Sequence, residues 1–386
     1  MYVAVKGGEK AIKAAHKLLA ETGRGDPSLP ELTLAQIQNQ LRLSVDRVQA
    51  EGALYAPQMA AMAVKQAQGD LVEAIFLIRA ARASLKRFGY SEPVDTHKMQ
   101  PRRRISATFK DLPGGQILGP TFDYTHRLLK RSLYAAENES AEKESQGSDQ
   151  YSFENSPDHT LEKAQDNVFM AGAISFLEKE GLVETDHPGQ GLIDESFKPF
   201  DLTREPLEVP LKRSGRLQAL ARADEGFLLS LAYSSQRGYG SVHPFVAELK
   251  LGSVEVKFMA PELNMVLTIG KIELTECQTA NQFKGGAGKP PMFTRGYGLT
   301  FGHNERKALS MAIVDRALRS KELSEPIKGP AQDEEFVLYH ADNVEASGFV
   351  SHIKLPHYVD FQAELSMIRE MRKNFKDSVD STADNS

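Results

Sequence analysis

The chain has 386 residues, 41% hydrophobic and 26% charged, and a net charge of −5. This length favours two modest domains over one hydrophobic core. No apolar run is long enough to span a bilayer, and the N-terminus lacks the apolar segment of a secretory signal, so we expect a cytoplasmic protein. The single cysteine, Cys277, excludes a disulfide framework and any metal site built from several thiolates.

The first predicted domain, residues 1–134, is mainly helical. In TLAQIQNQLRLSVDRV the apolar residues recur every three or four positions, which predicts one helical stripe behind a Thr33 cap. A second helix is predicted from Asp70, where Glu73 completes a capping-box pattern. The triplet Arg102 to Arg104 then begins a basic, glycine-rich stretch that could contact anions.

Two segments have too little apolar surface to offset the entropy of ordering them. Residues 135–165 are polar and mainly acidic, and we predict a mobile insertion there. Residues 377–386 are predicted to form a disordered tail.

The second predicted domain, residues 166–376, mixes strands and helices. The strand candidates are FLLSLAY, PFVAELKL, VEVKFM and MVLTIGKIEL, with Gly252 suited to a hairpin between the second and third. Helices are predicted in ERKALSMAIVDRAL, behind an Asn304 cap, and in VDFQAELSMIREMRKNF. The predicted fold class is therefore α+β: an N-terminal helical layer followed by a mixed, mainly antiparallel sheet packed with helices.

A weak internal similarity relates residues 224–244 to residues 333–353 at a constant offset of 109. The six matches include Asp224 with Asp333 and Phe227 with Phe336. The pattern favours a duplicated strand unit.

Two histidines, His352 and His357, flank a proline in SHIKLPHYVDF. Neither a strand nor a helix brings residues five apart onto one face, so both rings can meet only if the chain bends at Pro356. We expect a strand ending near Ile353 and then this bend. Two imidazoles suit zinc but are fewer than the three protein ligands of a usual catalytic site. The alternatives are an incomplete metal site and two ordinary surface or helix-capping histidines.

Two further groups of residues are candidates for chemistry. In FTRGYGLTFGHNERKALS, a glycine-rich turn before a helix could hold a phosphate near Arg295 and Lys307, although a structural turn is the favoured interpretation. In FVLYHADN, His340 and Asp342 lie two apart on a predicted strand and could share a pocket as proton-transfer groups.

Several longer blocks carry a family resemblance, among them GDLVEAIFLIRA, RRISATFKDLPGGQILGPTFDYTHRLL, PPMFTRGYGLTFG and DEEFVLYHADNVEASGFVSHIKLPHYVDFQAEL. They resemble the PhnI family, subunits of the bacterial carbon-phosphorus lyase core complex. The resemblance covers nearly the whole chain except residues 135–165 and the C-terminal tail.

The resemblance implies a role in phosphonate catabolism. It implies a transferase that works with G, H and J subunits and an ABC-type ATPase subunit. The reaction displaces adenine from MgATP by a phosphonate to give ribose 1-phosphonate 5-triphosphate, and a purine nucleosidase activity towards MgATP or MgGTP is associated with the subunit. The family's zinc-binding histidine pair carries over to His352 and His357. The alternative is a non-catalytic scaffold that holds a structural interface metal, and the negative net charge argues against nucleic-acid binding through Arg102 to Arg104.

Overall fold

A computed structural model describes residues 8–131, 172–185, 200–239, 243–286 and 288–383. Its helices are, in chain order, α1 (Gly8–Arg24), α2 (Leu34–Gln40), α3 (Arg42–Gly52), α4 (Pro57–Gln66), α5 (Leu71–Ser84), α6 (Ala173–Lys179), α7 (Arg213–Arg222), α8 (Glu225–Gln236), α9 (Glu305–Leu318), α10 (Glu334–His340), α11 (Asn343–His352) and α12 (Tyr358–Ala383). Its strands are β1 (Gln100–Ile105), β2 (Phe245–Ala260), β3 (Met265–Phe283) and β4 (Met292–Phe301). The predicted α+β class is confirmed.

The helical N-terminal layer is confirmed, with caps at the predicted residues Thr33 and Asp70, but Glu73 does not complete the capping box predicted for α5. Thr33 and Gln36 form a capping box at α2, and the Asp70 carboxylate accepts from the first backbone N–H groups of α5. The predicted single stripe is divided, because the helix breaks at Leu41 between α2 and α3. Helices α2 to α5 enclose one apolar core, whereas α1 has no buried residue.

The sheet is antiparallel throughout, in the order β1-β2-β3-β4. PFVAELKL and VEVKFM belong to one strand, β2, so the hairpin predicted at Gly252 is wrong. At Gly252 the backbone of β1 crosses so closely that an added Cβ would lie 2.2 Å from the Gln100 carbonyl oxygen. The glycine therefore permits strand pairing and makes no turn.

The strand predicted at FLLSLAY is also wrong, since these residues lie in α8. The carboxylate of Asp224 caps this helix by accepting from the Phe227 N–H. Leu228, Leu231 and Ala232 are buried at helical spacing. A short apolar run does not by its periodicity distinguish a buried strand from a buried helix, and the neighbouring core decided it.

The internal similarity likewise marks two helices and not two strands. Asp333 caps α10 through the Phe336 N–H, as Asp224 caps α8. The rings of Phe227 and Phe336 lie 6.2 Å apart, so corresponding residues of the two segments face each other. The matched residues Asp224 and Asp333 are thus signals that start a helix.

Helix α9 crosses β4 at very short range. Cβ atoms added to Gly296 and Gly298 would each lie 2.0 Å from a carbonyl oxygen of α9. These two glycines of RGYG therefore fix how closely the helix approaches the sheet.

The C-terminal helix α12 is confirmed, but its apolar stripe is exposed: Phe361 63%, Ile368 47% and Met371 58%. The helix continues to Ala383, well into the segment predicted as a disordered tail. The insertion predicted at 135–165 lies outside the described residues, and the domain boundaries stay a prediction. Within the described ranges, no helix is both long and apolar enough to cross a membrane.

Candidate functional site

His352 and His357 meet at the junction of two helices. The strand expected before the bend is wrong, because His352 ends α11 and His357 immediately precedes α12. The turn through Pro356 nevertheless brings the two rings together, with 5.4 Å between their centroids. Each Nδ1 contacts a backbone carbonyl oxygen: His352 that of Phe349, and His357 that of Leu355 at 2.6 Å.

These contacts fit two zinc ligands. An Nδ1–H donated to a carbonyl fixes the neutral tautomer whose Nε2 keeps its lone pair, which is the usual arrangement of a metal-bound imidazole. In the part of the chain that the structure describes, no group of three or more His, Cys, Asp and Glu side chains could hold a metal. The pair therefore supplies at most part of a coordination shell.

The surroundings of the pair are exposed and apolar. Phe349 is 76% exposed, Ile353 70% and Tyr358 72%. An apolar surface of this kind is typical of a protein contact, which could bring the missing ligands.

The strand predicted to carry His340 and Asp342 is wrong. His340 is exposed at the end of α10, with Nδ1 2.8 Å from the Phe336 carbonyl oxygen. Asp342 caps α11, and its carboxylate accepts from Arg79 at 2.6 Å and pairs with Arg222 at 3.3 Å. Burial acts to raise the pKa of Asp342, but the two arginines outweigh it and the pKa is lowered. Asp342 is thus held as a carboxylate, which disfavours it as a proton donor.

Most of the predicted glycine-rich turn is strand, because Gly296 and Gly298 lie within β4, and only the residues from Gly302 to Asn304 form a structural turn before α9. Its backbone donors are occupied by groups of the chain itself: Gly302 donates to the Glu273 carbonyl, His303 to the Asp46 carboxylate at 3.0 Å, and Asn304 to Thr275 Oγ1. A phosphate would have to displace the Asp46 carboxylate from this helix end.

The two predicted phosphate contacts have different surroundings. Arg295 on β4 forms an ion pair with Glu178 at 2.6 Å. Lys307 is fully buried, and its Nζ has no hydrogen-bond partner among the described residues and lies 3.9 Å from Glu51. Burial lowers the pKa of Lys307 to about 8, although Glu51 and Glu225 oppose the shift. Arg295 and Lys307 contact different carboxylates, Glu178 and Glu51, so their contacts do not place them in one phosphate site.

A network of buried charges was missed from the sequence. Burial raises the pKa of Glu51, while Lys307 and Arg47 oppose the shift. Arg47 donates to Glu51 at 2.9 Å and to Asp224 at 2.7 Å, which joins α3 to α8. These partners are 4 and 177 positions away from Arg47, so only the i, i+4 pair could have been read from spacing.

The basic triplet is not a free anion-binding surface. Arg103 pairs with Glu305 at 2.8 Å and Arg104 with Glu248 at 2.6 Å, and both side chains are buried. Their charges are therefore used inside the fold.

Comparisons with known proteins agree with the motifs. A family described as bacterial phosphonate metabolism protein (PhnI) matches residues 1–375. The chain is 57% identical over 373 residues to alpha-D-ribose 1-methylphosphonate 5-triphosphate synthase subunit PhnI of Rhizobium meliloti (strain 1021), covering 97% of this chain and 95% of that protein.

Two further relatives give the same result. The Escherichia coli (strain K12) protein of the same name is 52% identical over 374 residues, covering 97% of this chain and 99% of that protein. The putative C-P lyase subunit protein HtxH of Stutzerimonas stutzeri is 43% identical over 374 residues, covering 95% of each chain. The chain therefore belongs to the PhnI family of bacterial phosphonate metabolism proteins.

Proposed function

We propose that the chain is a subunit of a ribose 1-methylphosphonate 5-triphosphate synthase within a cytoplasmic carbon-phosphorus lyase core complex. The observation that carries this proposal is the end-to-end similarity to two proteins of that name, at 57% and 52% identity. In the proposed reaction, a phosphonate oxygen bonds to C1′ of MgATP or MgGTP as the C1′–N9 bond breaks. The purine leaves with a proton, and ribose 1-phosphonate 5-triphosphate remains.

The partners in this proposal are G, H and J subunits and an ABC-type ATPase subunit. Support comes from two apolar surfaces that are exposed to solvent in the isolated chain. The stripe Phe361, Ile368 and Met371 on α12 is exposed, and α1 is an amphipathic helix with no buried residue. Contiguous exposed apolar surfaces favour protein contacts.

Zinc is proposed at His352 and His357, supported by the Nδ1 contacts that leave both Nε2 atoms as ligands. When bound, zinc would supply a Lewis acid for an oxygen ligand or a fixed point between subunits. His352 and His357 would orient it, and the α11–α12 junction would hold their rings in place.

The remaining site residues are proposed with unequal support. His340 is exposed and its Nε2 is available for proton transfer, whereas Asp342 would act through its charge, held by Arg79 and Arg222. Arg295 would have to leave Glu178 to contact a phosphate. Lys307 would need the fold to open, because it is fully buried.

The test uses the assembled complex of this chain with its G, H and J partners. Incubation with MgATP and methylphosphonate should release adenine, measured by chromatography, and form a new ribosyl phosphonate, measured by phosphorus NMR. An assembled complex that forms neither product, beside an active Escherichia coli complex, would refute the proposal.

The isolated chain tests where the reaction takes place. Release of free base from MgATP or MgGTP by the purified chain would place the glycosidic site in this subunit. No release beyond buffer would remove that activity from the isolated subunit.

The scaffold alternative is tested at the metal. His352→Ala and His357→Ala should each lower the zinc content of the complex by elemental analysis, whereas His16→Ala on the exposed helix α1 should not. If the zinc-depleted complexes assemble and still release adenine, the metal is structural. Unchanged zinc would remove both histidines as ligands.

A further inference from the structure

A largely apolar cavity of about 280 Å³ lies between α3, α7 and the end of β4. Small side chains form its helical walls, namely Ala50, Ala53 and Ala221. Leu299 and Phe301 of β4 form the opposite wall. This volume lies just under the roughly 300–1,000 Å³ of ordinary ligand pockets, so the cavity suits a ring system and not a whole nucleotide.

The cavity lies beside the outer edge of the sheet, because β4 is the last strand. Helix α7 follows this edge. Its first residue, Arg213, donates to Asp315, which also accepts from the N–H of Tyr297 on β4. Further along the same helix, Gln218, Ala221 and Arg222 line the cavity.

The backbone of β4 presents hydrogen-bonding groups at this edge. In an antiparallel pair, alternate residues turn both their N–H and their C=O away from the partner strand. The N–H groups of Phe293, Arg295 and Tyr297 point outward, to Leu182, Glu184 and Asp315 respectively. The pairing of β3 with β4 has no bulge, so the same alternation turns both groups of Leu299 outward.

Leu299 therefore offers a donor and an acceptor, side by side, to a ligand in the cavity. The N–H groups before it along the edge have partners, but neither backbone group of Leu299 forms a hydrogen bond at this edge within the described residues. Leu299 is half-buried, so a ligand that enters the cavity and excludes water from it would have to pair with both groups.

A purine base matches this arrangement. Adenine has a ring nitrogen that accepts beside an amino group that donates, and guanine has O6 beside N1–H. Either edge can pair with one N–H and one C=O, while the flat faces contact the apolar walls. One backbone position could thus serve both MgATP and MgGTP.

Positive charge is in excess beside the cavity. Arg222 on its wall shares Asp342 with Arg79. Arg82 donates to the Gly52 carbonyl at 2.9 Å and forms no ion pair with the described residues. With Arg87, four guanidinium groups thus lie near three carboxylates, those of Asp342, Asp201 and Glu345, and burial together with mutual repulsion lowers the pKa of Arg82 and of Arg222. Such an excess attracts a polyphosphate.

We propose that this cavity binds the purine base of the nucleotide substrate, with Leu299 pairing to the edge of the base and Arg82 and Arg222 near the phosphates. The inference rests on the proposed function for the identity of the substrate. It assigns the base to the edge of β4, beside Arg222, which pairs with Asp342 at the start of α11, whereas the histidine pair lies at the end of that helix.

The test measures binding of MgATP to the assembled complex by isothermal titration without phosphonate. Ala221→Phe puts a phenyl ring into the cavity, and Ser214→Phe puts the same ring on an exposed position of the same helix. Ala221→Phe should weaken MgATP at least tenfold and leave ribose 5-triphosphate unchanged. Ser214→Phe should change neither.

A change in the ligand tests the same contact without a variant. N6,N6-dimethyl-ATP cannot donate from its amino group and should bind the wild-type complex at least tenfold more weakly than ATP. Equal binding of both nucleotides, or a folded Ala221→Phe complex that binds MgATP like wild type, would overturn the inference. Failure of the wild-type complex to bind MgATP would also overturn the inference.

These outcomes are separate from those of the proposed function. If MgATP binds at this cavity but phosphonate never releases adenine, the proposed function fails and the base site stands. If adenine is released equally by wild type and folded Ala221→Phe at limiting MgATP, the base site fails and the proposed function stands.

Discussion

Lys307→Met should raise the stability of the protein at pH 7. The side chain is fully buried, its Nζ has no hydrogen-bond partner among the described residues, and its pKa falls from 10.5 to about 8. The pKa difference between 10.5 and about 8 means that burying the charged form of Lys307 lowers the free energy of unfolding by roughly 3 kcal/mol, since one pKa unit is about 1.4 kcal/mol. Methionine removes this penalty, and Glu51 keeps Arg47 at 2.9 Å. We expect a gain of up to roughly 3 kcal/mol.

The pH dependence tests the cause of this gain. Between pH 8 and 10.5 the unfolded chain binds a proton at Lys307 that the folded chain has lost. Wild-type stability should therefore rise with pH in this window, relative to Lys307→Met, by up to about 1.4 kcal/mol per pH unit.

Urea unfolding at a series of pH values measures this difference. Lys321→Met, which removes an exposed lysine, should follow the wild-type profile. The reasoning is refuted if Lys307→Met is less stable at pH 7 and its difference from wild type stays constant up to pH 9.5.

Three other substitutions or reactions should have measurable effects. Gly298→Ala should lower the free energy of unfolding in urea by about 1–3 kcal/mol or more, because its Cβ would lie 2.0 Å from the Ala308 carbonyl oxygen. The control Gly270→Ala, whose Cβ would have no atom within 4 Å, should lower it by less than about 1 kcal/mol. Asp342→Asn should cost about 3–5 kcal/mol near neutral pH. Since the pKa of Asp342 is lowered from 3.8, this difference should disappear as the pH falls below that value. Cys277 is buried and its pKa is raised, so a thiol reagent should label it only after denaturation, and rapid labelling of the native protein would contradict its burial.

Much of the local structure could be predicted from the sequence. The Thr33 and Asp70 caps and the positions of the α9 and α12 helices follow from periodicity and capping patterns, although the Asn304 side chain does not cap α9 and the long strand β2 was predicted as two short ones. FLLSLAY was predicted wrongly because a short apolar run is compatible with either element. In this case the signal that indicated a helix was the capping Asp224, which the sequence already contained.

The geometry of the histidine pair could be predicted only in part from residue spacing. The distance of five residues and Pro356 predicted that a bend must bring the rings together, and the structure has them 5.4 Å apart. The helix on either side of the bend, and the carbonyls that fix each Nδ1, could not be inferred from the spacing. Whether these rings bind zinc stays a proposal.

The sequence by itself determined the family, the fold class and where most helices begin, because these depend on residue types and near neighbours along the chain. The tertiary structure alone decided which charges are paired and where a ligand could enter. Asp342 is held by Arg79, which is 263 positions away, and Lys307 is buried against Glu51. Such pairs form only when distant elements pack, and the same packing leaves Leu299 on the open edge of the sheet beside a cavity.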